Sequence, residues 1–129
     1  MLINEKLLDK VTAEAETSPR LRMNHNIHES LDSPCQRLIN VLLPGSPLPV
    51  HRHRHTAETY ILLRGKMFVV FYNSLGEQTD RFLLDPLEGN YGVNIPAGQW
   101  HTVEVLEPSA IFEVKEGPYK PLEPEDILY

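Results

Sequence analysis

Three histidines occupy alternate positions in the middle of the chain: His51, His53 and His55. Alternate side chains of an extended strand point to the same face, so two imidazoles of this run can bind one metal ion. Glu58 follows at the start of an apolar run, and a turn over residues 54–57 would return its carboxylate to the imidazoles. The pattern predicts one part of a metal site with nitrogen and oxygen ligands.

A fourth ligand is predicted from a distant part of the chain. His101 follows the turn at residues 96–98, which would direct the start of the next strand into the same interior. Imidazoles and a carboxylate suit a divalent transition metal, with Mn, Fe, Ni and Zn as the main candidates, and the lack of thiolates argues against a structural zinc site. His55 would point to the same face of the strand as His51 and His53 and is an alternative ligand. The predicted set is His51, His53, Glu58 and His101.

The elements that must position these residues are short strands. After residue 20, β-rich runs recur roughly every 8–12 residues between turns rich in Gly, Pro and Asn, a spacing typical of an all-β sandwich or barrel. Gly65 is expected to close a hairpin between the second and third strands. The predicted strands are Arg37 to Leu43, Thr59 to Leu63, Met67 to Tyr72, Asp80 to Leu84, Tyr91 to Ile95, His101 to Leu106 and Ala110 to Val114.

One short helix is predicted at the beginning of the chain. Apolar residues recur at near-helical spacing between Leu2 and Ala15, and Ser18-Pro19 ends the pattern, because the residue before a proline is pushed out of the helical region. We therefore expect an N-terminal helix within residues 1–18, a β-barrel over residues 19–117 and an irregular C-terminal strap over residues 118–129.

The composition limits the classes of partner. With 129 residues the chain has the length of one domain, and its net charge of -6 disfavours binding to nucleic acid. No apolar run approaches the ~20 residues that cross a bilayer, and no apolar signal core is found near the N-terminus. The single cysteine, Cys35, agrees with a reducing compartment. We expect a cytoplasmic protein without membrane contacts.

The gaps between the candidate ligands resemble the two conserved motifs of the cupin superfamily. Pro96, Gly98 and His101 match the second motif, from which the chain departs at Asn90 and Val105, neither of which is a ligand position. The resemblance implies a small jelly-roll barrel with a metal on the four predicted ligands, and a homodimer. The residues that match the first motif are Gly45, His51, His53, Glu58 and Gly65.

A closer resemblance extends over most of the chain after the helix. Residues 22–30, the His51-Arg52-His53 pair, residues 95–101 and residues 112–119 are similar to the WbuC-type cupin-fold metalloproteins, small bacterial proteins named from O-antigen gene clusters. The resemblance implies a link to surface-polysaccharide biosynthesis but supplies no reaction.

Several polar residues are candidates for proton transfer beside the metal. Proton transfer needs an acid or base near the substrate, and the candidate catalytic residues are Glu113, Lys115, Tyr60 and Tyr119. The sequence favours Tyr60 as a core aromatic residue on a strand, and Lys115 as a solvated strand end. Trp100 has the opposite parity to His101 and is expected to pack outside the pocket.

A second polar row precedes the first predicted strand. Its members stand at alternate positions and would share one face of a strand, where a guanidinium could bind a carboxylate or phosphate of a substrate. An edge strand or a dimer seam explains the same row equally well. The candidate substrate-binding residues are Arg22, Asn24, Asn26 and His28.

The predicted function follows from the open positions of the metal. Four protein ligands leave about two octahedral positions for water or substrate, which is typical of catalytic metals. We expect an isomerase or epimerase acting on a small sugar-like or polyol ligand held in the barrel. The alternatives are a metabolite-binding or sensor protein without catalysis, and an Fe(II)-dependent dioxygenase.

Overall fold

The computed structural model describes all of residues 1–129. One helix and six strands follow one another along the chain, with two short 3-10 turns at Pro86–Glu88 and Pro124–Asp126. The helix and strands are α1 (Glu5–Glu16), β1 (Arg22–Asn26), β2 (Cys35–Leu42), β3 (Glu58–Tyr72), β4 (Gln78–Leu84), β5 (Gly92–Ile95) and β6 (Trp100–Glu116).

All strand pairs are antiparallel, in the order β1-β2-β6-β3-β4, and β5 pairs with the first part of β3. Hydrophobic side chains of β2, β3, β5 and β6 form the interior core, including Leu42, Leu62, Ile95 and Ile111. The prediction of an all-β barrel with one N-terminal helix is confirmed.

The two longest strands differ from the predicted pattern. β3 and β6 each run through what the sequence predicted as two strands, and they pair with each other along their length. The prediction that Gly65 closes a hairpin is wrong. Gly65 lies inside β3 with φ +102, where the register against β6 shifts and a β-carbon would collide with Ser109 and the carbonyl of Pro108. Glycine therefore permits a bulge, which bends a strand without ending it.

The helix covers the outer face of the sheet. The side chain of Asn4 accepts a hydrogen bond from the backbone N–H of Leu7 (3.0 Å), so the helix begins at Glu5 and not near Leu2. The residues before this cap are exposed. Buried residues of α1 pack on β2 and β6 in a second hydrophobic cluster, which includes Leu8, Val11, Ala15, Ile39, Val41 and Ala110. No helix of the structure has the length and apolar character needed to cross a membrane.

The C-terminal segment, residues 118–129, lies beside the residues that carry the first histidines. The N–H of Val50 donates to the carbonyl of Tyr129 (2.8 Å), and the N–H of Leu128 donates to the carbonyl of Val50 (2.7 Å). The N–H of Arg52 donates to the carbonyl of Asp126 (3.0 Å). These hydrogen bonds hold residues 50–52 in an extended conformation between the tail and the start of β6.

Candidate metal centre

The structure brings the four predicted ligands together. One ligand atom from each of His51, His53, Glu58 and His101 lies within 4.8 Å of the others. His51 and His101 form an isolated β-bridge, through N–H to carbonyl hydrogen bonds of 3.0 and 2.8 Å, and a bend at residues 54–55 returns the chain to Glu58 at the start of β3. His55 lies on this bend, outside the cluster, as the cupin motif implied.

Backbone carbonyls orient two of the imidazoles. His51 Nδ1 lies 3.0 Å from the carbonyl oxygen of Pro49, and His101 Nδ1 lies 2.9 Å from that of Gln99. A carbonyl oxygen only accepts, so each Nδ1 carries a proton and donates, which places the lone pair of a neutral ring on Nε2. This is the arrangement by which proteins prepare a histidine to bind a metal through Nε2.

His53 has a different partner. Its Nδ1 lies 3.3 Å from Nζ of Lys115, an ammonium that can only donate, so Nδ1 accepts this hydrogen bond. Its Nε2 lies 3.6 Å from Glu58 Oε1. A neutral His53 that binds a metal through Nε2 would carry its proton on Nδ1 and would lose the contact with the ammonium of Lys115.

Two buried atoms at the centre of the cluster have no hydrogen-bond partner. Glu58 Oε1 and His101 Nε2 lie 2.9 Å apart, and their residues are 3% and 1% exposed, but the geometry between them is not that of a hydrogen bond. A lone pair facing a carboxylate oxygen at this distance is repulsive unless a proton or a metal cation lies between them. The donor set and these orphaned atoms fit a divalent cation.

Burial and neighbouring charges prepare the ligands for a metal. Burial, reinforced by His101, lowers the pKa of His51 to about 4. Burial also lowers the pKa of His53 to about 4, against the opposing charge of Glu58. Burial alone would raise the pKa of Glu58, but His101, His53 and Lys115 outweigh it and lower this pKa to about 2. Near neutral pH these three ligands are already deprotonated, as metal binding requires.

A second carboxyl group in the interior has the opposite tendency. Burial and the negative charge of Glu58 raise the pKa of Glu113 to about 8, although Asn40 donates a hydrogen bond of 3.4 Å to its carboxyl group. Burial raises the pKa of Tyr60 well above its usual value. Two carboxyl groups whose pKa values are driven apart in one site are typical of acid–base chemistry.

Two cavities adjoin the cluster on different sides. The inner cavity, about 40 Å³, is lined by His51 and His101 together with Asn40, Tyr60 and mainly apolar residues of the core. The outer cavity, about 430 Å³, lies between the bend after His53 and the C-terminal segment. Small-molecule sites in proteins usually have volumes of about 300–1,000 Å³, so only the outer cavity has room for a sugar.

The row on β1 lies on the interior face of the sheet. Asn24 pairs directly with Asn40 of β2, and directly paired residues share a face. β1 is an edge strand, which leaves Asn24 and Asn26 exposed. Arg22 is half-buried; its Nη1 donates to the carbonyl of Pro47 (3.3 Å), and its buried Nε has no partner. No contact in the structure joins this row to the metal cluster.

The other predicted residues lie in different surroundings. The backbone N–H of Arg37 donates to Nδ1 of His28 (3.0 Å), and the buried Nε2 of this histidine has no partner. Tyr60 is a core residue that also borders the inner cavity, 6.5 Å from His101 between ring centroids. Tyr119 is 48% exposed, with its ring 5.9 Å from Nζ of Lys115.

Comparison with protein families identifies the chain's own family. A model described as a domain of unknown function, DUF6016, matches residues 3–84. The chain belongs to the DUF6016 family. No curated protein matches this DUF6016 protein.

Solved structures resemble the DUF6016 chain in fold. The cupin domain of Cnp3 from Schizosaccharomyces pombe has 12% identity and a TM-score of 0.59, over 74% of this chain and 64% of that one. KdgF from a Halomonas species has 16% identity and a TM-score of 0.60, over 81% and 85% of the two chains. A sugar phosphate isomerase of the cupin superfamily from Silicibacter pomeroyi has 18% identity and a TM-score of 0.58, over 74% and 59%.

These neighbours show that the DUF6016 barrel has the cupin fold. At identities below 25% they show the fold alone, and the chain spans less than two thirds of the Cnp3 domain and of the isomerase.

Sequence reasoning missed two features of the DUF6016 site. Asn40 borders the inner cavity, and its buried Oδ1 has no hydrogen-bond partner. The sequence feature that could have identified it is a single amide within the apolar run of a predicted strand. Arg52 and Arg54, which alternate with the histidines, both contact Asp126 of the C-terminal segment. The guanidinium of Arg52 also lies 4.5 Å from the ring centroid of Trp100. Nothing in the local sequence indicates a partner about 70 residues away.

Proposed function

We propose that this protein is a divalent-metal-dependent enzyme that isomerises or epimerises a small sugar carrying a hydroxyl group next to a carbonyl group. The observation that carries the proposal is the pair of buried, unpartnered atoms Glu58 Oε1 and His101 Nε2, 2.9 Å apart in the barrel. A metal bound by His51, His53, Glu58 and His101 would supply Lewis-acid stabilisation of negative charge on substrate oxygens.

The proton-transfer step is assigned to Glu113. Isomerisation and epimerisation both require that a proton leave the carbon next to the carbonyl and that a proton return at the same or the neighbouring carbon. Glu113 accepts a hydrogen bond of 3.4 Å from Asn40, which borders the same cavity as His51 and His101. Burial and the charge of Glu58 raise the pKa of Glu113 to about 8, and a group with a pKa near the working pH performs both tasks best. Tyr60 and Lys115 are the other groups placed beside the four ligands, by a ring centroid 6.5 Å from His101 and by the contact with His53.

The size and charge of the cavities support a substrate bound at the outer side. The inner cavity has room for about three water molecules, whereas the outer cavity has the volume of a small-molecule site. His53 lines the outer cavity, which therefore adjoins the metal ligands. Tyr119 and the interior row of Arg22, Asn24, Asn26 and His28 are proposed as secondary contacts, and a homodimer in the cytoplasm is proposed as the working form.

The biological setting is proposed from the resemblances. The structural neighbours include a sugar phosphate isomerase and KdgF, which supports a sugar as the class of substrate. The similarity of residues 22–30, 95–101 and 112–119 to WbuC-type proteins supports a place in surface-polysaccharide biosynthesis.

Hydrogen exchange into substrate tests the reaction class. Metal-loaded protein is incubated without oxygen in D2O with aldoses, ketoses and their phosphates, and NMR follows deuterium at the carbon next to the carbonyl. Exchange or interconversion by the wild type, lost in Glu58→Gln and strongly reduced in Glu113→Gln, is the expected result. A sugar that binds tightly and is returned unchanged would instead identify a binding protein. In a parallel incubation with air, turnover that consumes oxygen and requires iron would identify a dioxygenase.

A further inference from the structure

The outer cavity has a charge opposite to that of the protein. The chain has a net charge of -6, but four cationic side chains and only three carboxylates line this cavity. A single hydrophobic residue, Leu122, is among the lining residues. A cavity of about 430 Å³ with polar walls and an excess of cations favours a ligand that is itself charged and negative.

The two arginines of the cavity are already paired. Arg52 Nε lies 3.3 Å and Arg54 Nε 2.8 Å from the same Oδ1 of Asp126, and Arg54 also contacts Glu123 at 3.3 Å. These ion pairs join the bend after His53 to the C-terminal segment. They therefore build the wall of the cavity, and the arginines contribute little free positive charge to a ligand.

The two lysines of the cavity are not paired with any carboxylate. Neither Lys115 nor Lys120 forms an ion pair in this structure. An ammonium has three N–H donors. Lys115 directs one of them at His53 Nδ1 (3.3 Å), which leaves two, and Lys120 has all three available. The exposed His55 lines the same cavity and adds a third nitrogen-bearing side chain.

We propose that the outer cavity binds an anionic substituent of the substrate, a phosphate or a carboxylate, with Lys115 and Lys120 as the charged contacts and His55 beside them. The proposal rests on the proposed function, since it places the acidic end of the sugar that the metal would bind. Lys115 carries this link because its Nζ lies 3.3 Å from Nδ1 of the candidate ligand His53 and because it lines the cavity. With a metal on His53 Nε2, the ammonium no longer donates to Nδ1, and all three of its N–H donors face the anion. A neutral sugar would leave both lysines without a partner and would bind more weakly.

Anion binding is tested first on metal-free protein, because a bound metal would itself attract anions. Calorimetric titrations with inorganic phosphate and with acetate measure the dissociation constants after treatment with a chelator. We expect the wild type to bind at least one anion, Lys120→Ala to bind it about tenfold more weakly, and Lys120→Arg to retain it. Lys10→Ala is the matched control, since Lys10 is exposed on α1 without an ion pair and should not change the affinity.

A second set of titrations separates the two anion classes on metal-loaded protein. Glucose 6-phosphate, glucuronate and glucose share a ring and differ in the acidic substituent. We expect one or both acidic sugars to bind more tightly than glucose, and Lys120→Ala to reduce this preference by about tenfold. The acid that is preferred identifies phosphate or carboxylate as the substituent.

The outcomes separate this inference from the proposed function. The absence of phosphate and acetate binding at millimolar concentrations, or equal affinities of Lys120→Ala and Lys10→Ala, would overturn the anion site even in a protein that binds metal. Conversely, Lys120-dependent anion binding by a protein that never takes up metal would support the anion site while the proposed metal-dependent function fails.

Discussion

The two cavities beside the metal ligands differ in nearly every physical property. The inner cavity is about 40 Å³ and is bordered by His51, His101 and apolar core residues. The outer cavity is about ten times larger and is bordered by His53, lysines, arginines and carboxylates. The candidate ligands thus border a small, mainly apolar cavity through His51 and His101, and a larger cavity with charged walls through His53.

The difference between the two cavities suggests that proton transfer and substrate recognition use different parts of the site. Beside the candidate ligands, burial and the charge of Glu58 raise the pKa of Glu113, whereas His101, His53 and Lys115 outweigh burial and lower the pKa of Glu58. On the outer side, the volume and the unpaired lysines suit recognition of a substrate. A site of this kind can change its substrate through the outer residues without changing the metal ligands.

The largest effect is expected from removing the one carboxylate of the candidate ligand set. Glu58→Gln should lower metal affinity by more than about 100-fold, because it removes the only charged ligand, whose Oε1 lies 2.9 Å from His101 Nε2. Metal content after dialysis, measured by mass spectrometry, and competition with a chelator check this. His55→Ala is the control and should keep one metal per chain. A fully loaded Glu58→Gln protein would disprove the metal centre.

The next largest effect is expected in the wall of the inner cavity. Ile111 is 1% exposed, so Ile111→Ala should lower the free energy of unfolding by about 2–5 kcal/mol through lost burial and a larger void. Ile61, on the facing strand β3, is 40% exposed, and Ile61→Ala should cost less than about 1 kcal/mol. Urea denaturation checks both, and both variants should bind metal. Equal destabilisation would show that the inner wall is not tightly packed.

The raised pKa of Glu113 predicts a pH-dependent effect of the neutral variant. The protonated Glu113 side chain stabilises the folded protein relative to the ionised one. This stabilisation is fully present below the unfolded pKa of about 4.5 and is lost as pH rises towards the folded pKa of about 8. Relative to Glu113→Gln, metal-free wild type should therefore lose on the order of 2 kcal/mol of unfolding free energy between pH 5 and pH 8. Denaturation curves across this range test it. Parallel curves would show that Glu113 is an ordinary ionised carboxylate.

The smallest effect is expected at the outer wall. Arg54→Ala removes an exposed ion pair to Glu123 and one of the two guanidinium contacts of Asp126, which keeps Arg52 as its partner, so the loss of stability should be small. The melting temperature should change less than in Ile111→Ala, while hydrogen exchange within residues 123–129 becomes faster. Arg37→Ala, an exposed arginine without an ion pair, is the control. Unchanged exchange in Arg54→Ala would show that backbone hydrogen bonds alone hold the C-terminal segment.

Local patterns predicted more of the metal centre than of the strands around it. The four ligands were predictable because alternation along a strand and the gaps of the cupin motifs depend on short stretches of chain. The continuity of β3 could not be predicted, because a glycine at position 65 is compatible with a tight turn and with a bulge. Only the collision that a side chain would make with Ser109 and Pro108, more than 40 residues away, distinguishes the two.

The sequence by itself determined the four candidate ligands, the all-β class and the short helix, since each depends on side-chain periodicity or motif spacing within short stretches of chain. Only the tertiary structure decided that Lys115 contacts His53, that the half-buried Glu113 lies beside Glu58, and that Asp126 pairs with Arg52 and Arg54. These relations join segments far apart in the chain. Burial, charge proximity and the shape of a cavity exist only once the chain has folded, and they set the protonation states and the free charges on which function depends.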